Sequence, residues 1–432
     1  VMDAPGARGI DVSPDGSLVI VTVGRFVPPE GKKESWIEIR SLPAGDLVSR
    51  IMDTAIRNTQ WIPGGRKISY ISDNRLRALD VDNGSTETLI EDLGKDFEGY
   101  DWGPAGDWII YSRTGKPEDD KTGVKRHLGI YDRTDYGRTK STLHVMSIPG
   151  GVSRQITAGR YSANVYDIHP DGRHVLIGRR WEDLSGRPFG TSELVLMDLR
   201  DQSVETLFEG KWLGAAQWSP GGKNILVTGG PSTFGDEGID LPEGVIPNDY
   251  DTQVYIFDLE TKRAESITRD FDPAVNRAFW AEFDGNIYLV AEDTEYVRLY
   301  RYEPKKKKFT PLDIGVDVIG SGDIAETGPV GVFTGSGAEH PQRVYSVELK
   351  SSKPKARMID EPGAALFRNV RLGKVEPWDF VSSGGYDIVG RIHYPPDFDA
   401  GKRYPCIVYY YGGTSPVDRT FGGRYPKNLW AA

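Results

Sequence analysis

The stretch Ser13-Pro14-Asp15-Gly16, followed by Leu18-Val19-Ile20-Val21-Thr22-Val23, decides the fold. Proline at the second turn position presets φ, and the following Asp-Gly tolerates positive φ, so the stretch predicts a tight hairpin turn leading into a strand. The same turn recurs along the chain. Its further copies are Ile62-Pro63-Gly64-Gly65, Gly103-Pro104-Ala105-Gly106, His169-Pro170-Asp171-Gly172, Ser219-Pro220-Gly221-Gly222, the weaker Phe283-Asp284-Gly285 and the proline-free Ala325-Glu326-Thr327-Gly328.

The sequence around each turn is equally regular. A short strand, often with an aromatic residue as in Gln217-Trp218, precedes the turn, and a β-branched run follows it. A third strand such as Val254-Tyr255-Ile256-Phe257-Asp258-Leu259 and a fourth strand complete the unit. Four antiparallel strands per unit, repeated without helical periodicity, predict an all-β protein. We expect a β-propeller of about seven four-stranded blades over residues 1–372, with eight blades as an alternative if the chain continues before Val1.

The connections between the second and third strands are long in several units. These connections are residues 24–35, 114–141, 180–192 and 229–251. Since strands alternate in direction, all of these connections emerge on one face of the propeller, where a partner domain or a substrate is expected. A simple drift in the length of surface loops is the alternative explanation.

Composition and charge exclude several classes of function. The chain has 432 residues, of which 38% are apolar and 27% charged, as in a soluble globular protein. No apolar run approaches the ~20 residues that span a bilayer. A net charge of −10 argues against a nucleic-acid partner, because neutralising a phosphate backbone requires clustered Lys and Arg.

Cysteine and histidine usage predicts neither a disulfide nor a metal site. The single cysteine, Cys406, lies in an apolar run and is expected to be a small buried residue of a strand. The six histidines complete no HExxH or similar ligand spacing. We therefore expect no metal and no cofactor.

The repeat stops near Gly373, and residues 373–432 differ in character. Phe380-Val381, a Gly-Gly turn and residues 386–394 predict an antiparallel hairpin. The continuous apolar run from Cys406 to Tyr411 ends in Gly412-Gly413 and suits a central strand that is buried on both faces. This segment is expected to form the first strands of an α/β-hydrolase domain that is incomplete in this chain.

These motifs resemble a known family. Together with the propeller, the motifs Ser382-Ser383-Gly384-Gly385-Tyr386, His393-Tyr394-Pro395-Pro396, Lys402-Arg403-Tyr404-Pro405 and Tyr411-Gly412-Gly413 resemble the prolyl oligopeptidase family of serine peptidases. That family includes dipeptidyl peptidases and acylaminoacyl peptidases. The resemblance implies a propeller that covers the active site of a hydrolase domain and restricts access to short peptides.

The resemblance also implies where catalysis takes place. The family's catalytic serine belongs to a G-x-S-x-G motif, and no serine of this chain has glycine both two positions before it and two positions after it. The chain alone is therefore expected to be inactive, with its Ser-Asp-His triad beyond Ala432. Tyr411 matches the family tyrosine that donates its hydroxyl to the oxyanion, and a tyrosine that simply ends an apolar strand is the alternative.

Substrate-binding residues are predicted on the face with the long connections. Arg179, Arg180 and Trp181 follow a strand of the fourth unit and are candidates for contacts with a peptide. Family exopeptidases hold the free peptide amine with acidic residues of a propeller insertion, for which Glu182-Asp183 and Glu118-Asp119-Asp120 are candidates. Acidic loops that are only solvated are the alternative.

Two further questions stay open from the sequence. The leading hypothesis is the propeller part of a serine exo- or oligopeptidase whose partners are short peptides and its own C-terminal hydrolase domain. The alternative is a non-catalytic propeller that serves as a platform for protein interactions. A periplasmic or secreted bacterial location is favoured over the cytoplasm, and a homo-oligomer is compatible with either hypothesis.

Overall fold

The structure, a computed structural model, describes nearly the whole chain. The described residues are 4–29, 31–52, 56–115, 121–124, 127, 139–159, 161–183, 185–410 and 419–432. They form two compact units, one made of residues 1–54 and 272–432 and the other of residues 55–271. Within these units, seven successive antiparallel groups of four strands follow one another along the sequence.

The first unit contains three of these groups, which we call sheets 1, 6 and 7. Sheet 1 consists of β1 (Gly6–Val12), β2 (Leu18–Val27), β3 (Lys32–Ser41) and β4 (Leu47–Ile51). Sheet 6 consists of β21 (Ala274–Trp280), β22 (Ile287–Asp293), β23 (Tyr296–Glu303) and β24 (Lys308–Leu312), with a 3₁₀ turn at Pro304–Lys306. Sheet 7 consists of β25 (Val318–Ile324), β26 (Val330–Gly337), β27 (His340–Glu348) and β28 (Ala356–Asp360).

The second unit contains sheets 2 to 5. Sheet 2 consists of β5 (Arg57–Trp61), β6 (Lys67–Ser72), β7 (Arg75–Asp80) and β8 (Thr86–Ile90). Sheet 3 consists of β9 (Phe97–Trp102), β10 (Trp108–Gly115), β11 (Lys140–Ser147) and β12 (Ser153–Gln155). Sheet 4 consists of β13 (Ser162–Ile168), β14 (His174–Glu182), β15 (Gly190–Asp198) and β16 (Val204–Gly210). Sheet 5 consists of β17 (Leu213–Trp218), β18 (Asn224–Gly229), β19 (Gln253–Asp258) and β20 (Arg263–Ser266).

This architecture is a β-propeller, as the sequence predicted. Each predicted Pro-Gly turn joins the first and second strands of its sheet, and the turn glycines Gly16, Gly106, Gly172 and Gly222 have φ between 66° and 73°. Apolar side chains of neighbouring sheets pack together, so that Ile177 and Val195 of sheet 4 share a core with Ile110 of sheet 3. The turn chemistry and the apolar runs therefore fix the repeat, and burial between sheets stabilises it.

Neighbouring sheets are also joined by a partly buried side chain of the first strand. Asp167 in β13 accepts the backbone N–H of Trp218 in β17 at 2.7 Å. Asp323 in β25 accepts the backbone N–H of Val12 in β1 in the same way. Burial raises the pKa of both carboxyls to about 6, although the N–H donors oppose that shift.

Sheets 1 and 7 meet without exchanging a strand, because each draws its four strands from one contiguous stretch. Their contact, which we call the seam, includes a shared apolar core in which Val12 and Val21 pack with Val332 and Val344. A largely buried ion-pair network adds to it, and the residues involved are Glu38, Arg40, Arg50 and Asp360. Arg40 Nη2 lies 2.8 Å from Asp360 Oδ1. The seam therefore depends on side chains rather than on strand pairing.

After β28 the described residues form short elements. These are α1 (Ala364–Phe367), β29 (Val375–Pro377), β30 (Phe380–Val381), β31 (Asp387–Ile388), β32 (Arg391–His393) and α2 (Lys427–Ala431). β29 pairs with β32 and β30 with β31, so the predicted antiparallel hairpin is present. The domain boundary at 372/373 stays a prediction.

The prediction of a buried apolar strand at residues 406–411 is wrong for residues 406–410. These residues form no strand, and Cys406 is exposed. Ile407, Val408 and Tyr410 keep 67%, 76% and 86% of their surface accessible. A central strand needs a hydrogen-bonded neighbour on each edge, and among the described residues no strand pairs with this run.

Candidate functional site

The predicted peptide contacts lie at the end of β14, where the connection to β15 leaves sheet 4. Residues 175–178 of this strand are buried, and Arg180 is exposed. Because side chains alternate along a strand, Arg179 and Trp181 point to one face of the sheet and Arg180 and Glu182 to the other. The five predicted residues therefore do not form one cluster.

Arg179 has a structural role within sheet 4. Its guanidinium forms an ion pair of 2.7 Å with Glu193 of β15, which is almost completely buried. The other carboxylate oxygen of Glu193 accepts the hydroxyl of Thr206 in β16 at 2.6 Å. Arg179 thus neutralises a carboxylate inside the sheet and holds three strands together.

Arg180 lies on the opposite face and forms no ion pair with any residue in the described ranges. Its guanidinium lies over Gly190, where an added Cβ would come within 2.6 Å of Nη2. Its charge acts on Tyr166, whose pKa is raised by burial and lowered in part by Arg180. Arg180 is therefore an accessible cation in a defined position.

The remaining three residues have separate surroundings. Trp181 stacks on Tyr161 with ring centroids 4.9 Å apart. Partial burial raises the pKa of Glu182, and the charge of Arg180 opposes this shift. Asp183 accepts the backbone N–H and hydroxyl of Ser185, and these hydrogen bonds lower its pKa. Asp183 thus shapes the β14–β15 connection.

One group of side chains has the composition of a metal site. His169, Asp171 and His174 bring one ligand atom each to within 4.8 Å of one another. The Asp171 carboxylate already accepts the backbone N–H groups of Arg173 and His174, and His169 Nδ1 accepts the N–H of Asp171. Partial burial would raise the pKa of Asp171, but hydrogen bonds from His174 and from the backbone lower it. The β13–β14 turn accounts for this group without an ion.

The C-terminal segment contacts the propeller through a second charged cluster, which the sequence did not indicate. Glu295, in the turn between β22 and β23, is buried and binds both Arg391 and Arg419. Arg419 also donates to Asp317 at 2.8 Å, and its backbone N–H donates to the carbonyl of Glu295. We call these four residues the Glu295 cluster. No sequence motif marks it, because its members lie up to 124 positions apart.

A second contact lies beside this cluster. The backbone N–H of Val375 donates to Glu339, in the turn between β26 and β27, at 2.9 Å. His393 pairs with Val375 across β29 and β32, and neither of its buried ring nitrogens has a partner in the described ranges. Burial, together with Arg391, Lys427 and Arg419, lowers the pKa of His393 to about 4. In sheets 6 and 7 the segment thus contacts the turns between the second and third strands.

Two predicted sites lie outside the described residues. They are the predicted oxyanion donor, Tyr411, and the predicted acidic contact, Glu118-Asp119-Asp120. The residues that flank Tyr411 on each side, Arg391 and Arg419, are within the described ranges and bind the same carboxylate of Glu295. Tyr166 is a further residue that the sequence did not single out, because its position depends on a bulge in β13.

Comparisons with known proteins agree with this architecture. No family model matches the chain. A curated relative, dipeptidyl-peptidase 5 of Porphyromonas gingivalis, is 24% identical over 266 residues, which are 61% of this chain and 36% of the relative. An acylaminoacyl peptidase solved with Z-Gly-Gly-Phe-chloromethyl ketone matches 99% of this chain and 64% of its own, with a TM-score of 0.76 and 18% identity.

The chain is thus similar in sequence to a dipeptidyl-peptidase and in fold to an acylaminoacyl peptidase. The resemblance predicted from the sequence is thereby confirmed. The β-propeller domain of the Trilobed protease from Pyrococcus furiosus matches 86% of this chain and all of its own, with a TM-score of 0.58 and 16% identity. At such identities the structural matches establish the fold, and the chain spans about a third of the curated relative and about two thirds of the acylaminoacyl peptidase.

Among the residues that the structure describes, no helix is long and apolar enough to span a bilayer. The two described α-helices have four and five residues.

Proposed function

We propose that this chain is the propeller part of a serine exo- or oligopeptidase that hydrolyses short peptides, and that the propeller restricts access to the catalytic centre. One observation supports this most directly: the match to an acylaminoacyl peptidase covers 99% of the chain, so it extends over residues beyond the propeller. The motifs at 382–386, 393–396 and 411–413 are those that resemble the family.

The proposed chemistry is acyl transfer. In the complete enzyme a serine attacks the peptide carbonyl, a histidine accepts its proton, and an aspartate orients the histidine. Tyr411 donates its phenol O–H to the oxyanion that develops on the carbonyl oxygen. A fixed donor of this kind is worth about 3 kcal/mol of transition-state stabilisation.

The Glu295 cluster would position this tyrosine. Arg391 precedes Tyr411 in the sequence and Arg419 follows it, and both bind Glu295 on the propeller. The side chains of Glu295 and Arg391 are each 9% exposed, so the ion pair is shielded from solvent. A shielded pair resists opening, because separating it leaves an uncompensated buried charge. One propeller carboxylate thus binds a residue about 20 positions before the proposed oxyanion donor and another about 8 positions after it.

The test compares this chain with the product of the complete gene on dipeptidyl, prolyl and N-acetylaminoacyl chromogenic amides. We expect hydrolysis and fluorophosphonate labelling in the complete protein and neither in this chain. In the complete protein, Tyr411→Phe should lower kcat about 100-fold while labelling persists. The preferred amide would identify the mode of cleavage.

Absence of hydrolysis and labelling in the complete protein would reject the peptidase proposal and support the interaction platform. The inactivity of this chain and the export of its parent protein to the periplasm or outside the cell stay part of the proposal. Amide hydrolysis by this chain alone would contradict the proposal that this chain is inactive without the rest of the hydrolase domain.

A further inference from the structure

We propose that Arg180 and Tyr166 form a binding subsite for the terminal carboxylate of a short peptide. This inference rests on the proposed function and names the substrate group that the propeller recognises. The two residues lie on one face of sheet 4, at the end where the β14–β15 connection emerges.

The first argument is the absence of an acidic partner for Arg180. The other two arginines of β14 and its preceding turn are neutralised, Arg179 by Glu193 and Arg173 by Asp198. Arg180 is exposed and has no ion pair with any residue in the described ranges. A guanidinium presents a planar fork of N–H donors that matches a carboxylate with two parallel hydrogen bonds. Arg180 therefore offers an unoccupied fork to a ligand.

The second argument is that Arg180 and Tyr166 each lie against a glycine of sheet 4. A Cβ on Gly190 would lie 2.6 Å from Arg180 Nη2 and 3.1 Å from Nε, so a side chain at position 190 would displace the guanidinium from its place against this backbone. A Cβ on Gly178 would lie 2.6 Å from Cε2 of the Tyr166 ring. Side chains that are held before binding lose less conformational freedom when the ligand arrives.

The third argument is the position of Tyr166. It is the extra residue of a bulge between Val165 and Asp167, and bulges redirect side chains next to functional sites. Its ring packs against the apolar core between sheets 4 and 5. Burial raises the pKa of its hydroxyl, so the hydroxyl keeps its proton at neutral pH. It makes no hydrogen bond within the described ranges and is available as a donor.

A cation and a neutral O–H donor, neither with an internal acceptor, favour an anionic planar group. In a peptide this group is the C-terminal carboxylate. Trp181 follows Arg180 in β14 and so lies on the opposite face, where it stacks on Tyr161, the residue directly before β13. They therefore do not compete for the guanidinium.

The experiment measures binding of N-acetyl-Gly-Phe and of its C-terminal amide to this chain by calorimetry, with NMR as a second readout. We expect the acid to bind about tenfold or more tightly than the amide, because a hydrogen-bonded charge pair is lost in the amide. Tyr166→Phe should reduce this preference, and Arg180→Gln should abolish it. Gly190→Ala, which displaces the guanidinium, should weaken acid binding as well.

The matched control is Arg187→Gln, an exposed arginine of the same β14–β15 connection that lies over Phe189. It should leave the preference unchanged, and thermal unfolding should show that every variant is folded. Equal affinity for acid and amide, no binding of either at millimolar concentration, or an equal effect of Arg187→Gln would overturn the inference. Displacement of the acid by equimolar inorganic phosphate would also overturn it, because it would indicate a general anion site.

The two proposals can fail independently. Amide hydrolysis by the complete protein, with no acid preference in this chain, would reject the subsite and leave the peptidase assignment intact. An acid preference in this chain, without hydrolysis by the complete protein, would reject the peptidase assignment and leave the carboxylate subsite intact.

Discussion

The carboxylate of Asp323 accepts the backbone N–H of Val12 at 2.8 Å and joins two strands whose residues lie 311 positions apart in the sequence. The same carboxylate accepts the N–H of Ile324. It lies at the seam, where sheets 1 and 7 share no strand. One partly buried side chain therefore connects the first strand of sheet 1 to the first strand of sheet 7.

Protonation of Asp323 should make the propeller more stable at pH 5 than at pH 8. Burial raises its pKa from 3.8 to about 6, so the folded state binds a proton more tightly than the unfolded state. The stabilisation is present below pH 4 and is lost as pH rises through 6. One such group contributes on the order of 3 kcal/mol below pH 4, of which about 1.4 kcal/mol is present at pH 5 and none at pH 8. Urea unfolding at both pH values measures it.

Asp323→Asn should flatten this pH dependence, because the amide keeps an acceptor for Val12 and has no proton to exchange. Asp270→Asn, at an exposed aspartate of the other unit, is the control and should leave the dependence as it is. An unchanged slope in Asp323→Asn would mean that Asp323 is not the titrating group.

Removal of Arg40 should weaken the seam more than removal of an exposed arginine. The Arg40 side chain is 11% exposed and binds Glu38, which is 4% exposed, and Asp360. Arg40→Met should destabilise the protein by about 3 kcal/mol, since it leaves buried carboxylates without their partner. Arg25→Met, at the exposed Arg25–Glu34 pair, should cost less than about 1 kcal/mol. Equal losses in denaturant titrations would show that the seam network adds nothing.

Loss of the Glu295 charge should release the segment that flanks Tyr411. Glu295→Gln removes the buried carboxylate that binds Arg391, so backbone amides of residues 391–393 should exchange with solvent at least tenfold faster. Asp397→Asn removes the exposed Arg371–Asp397 pair of the same segment and should change exchange little. Unchanged exchange at 391–393 in Glu295→Gln would remove Glu295 from its proposed positioning role.

Acidification should weaken the contact between β32 and the propeller. The pKa of His393 is lowered to about 4, because burial and the charges of Arg391, Lys427 and Arg419 disfavour the protonated ring, while Glu339 opposes them. The released state takes up a proton near pH 6.5, so the contact loses stability as pH falls from 6.5 towards 4. Hydrogen exchange at 391–393, corrected for its intrinsic pH dependence, should show this loss, and His393→Gln should remove it. If exchange at 391–393 in the unmodified protein shows no pH dependence after this correction, His393 is not the group that weakens the contact.

Local sequence chemistry predicted the repeat well. Each copy of the Ser13-Pro14-Asp15-Gly16 type specifies its own hairpin through φ preferences that need no distant contact. The prediction failed at residues 406–410, where the apolar run requires neighbouring strands that these described sheets do not provide. A strand buried on both faces is a property of its neighbours as much as of its own sequence.

The candidate site was less accessible to sequence reasoning. Arg179 and Arg180 are adjacent and chemically identical. Because side chains alternate along a strand, Arg179 forms an ion pair with Glu193 whereas Arg180 is exposed. The bulge that directs Tyr166 and the approach of Arg180 to Gly190 depend on the register between strands, which hydrophobic pattern alone does not specify. The Glu295 cluster joins distant residues and follows from tertiary packing.

Because each sheet draws its four strands from one contiguous stretch, the strand pairings do not depend on which sheet comes first in the sequence. An added Cβ on Gly363 would lie 3.6 Å from the carbonyl oxygen of Pro5, so the two ends of the propeller sequence are already adjacent. A circularly permuted gene that joined these ends and began in the exposed turn at Asp201 and Gln202 would preserve every strand pairing of the seven sheets.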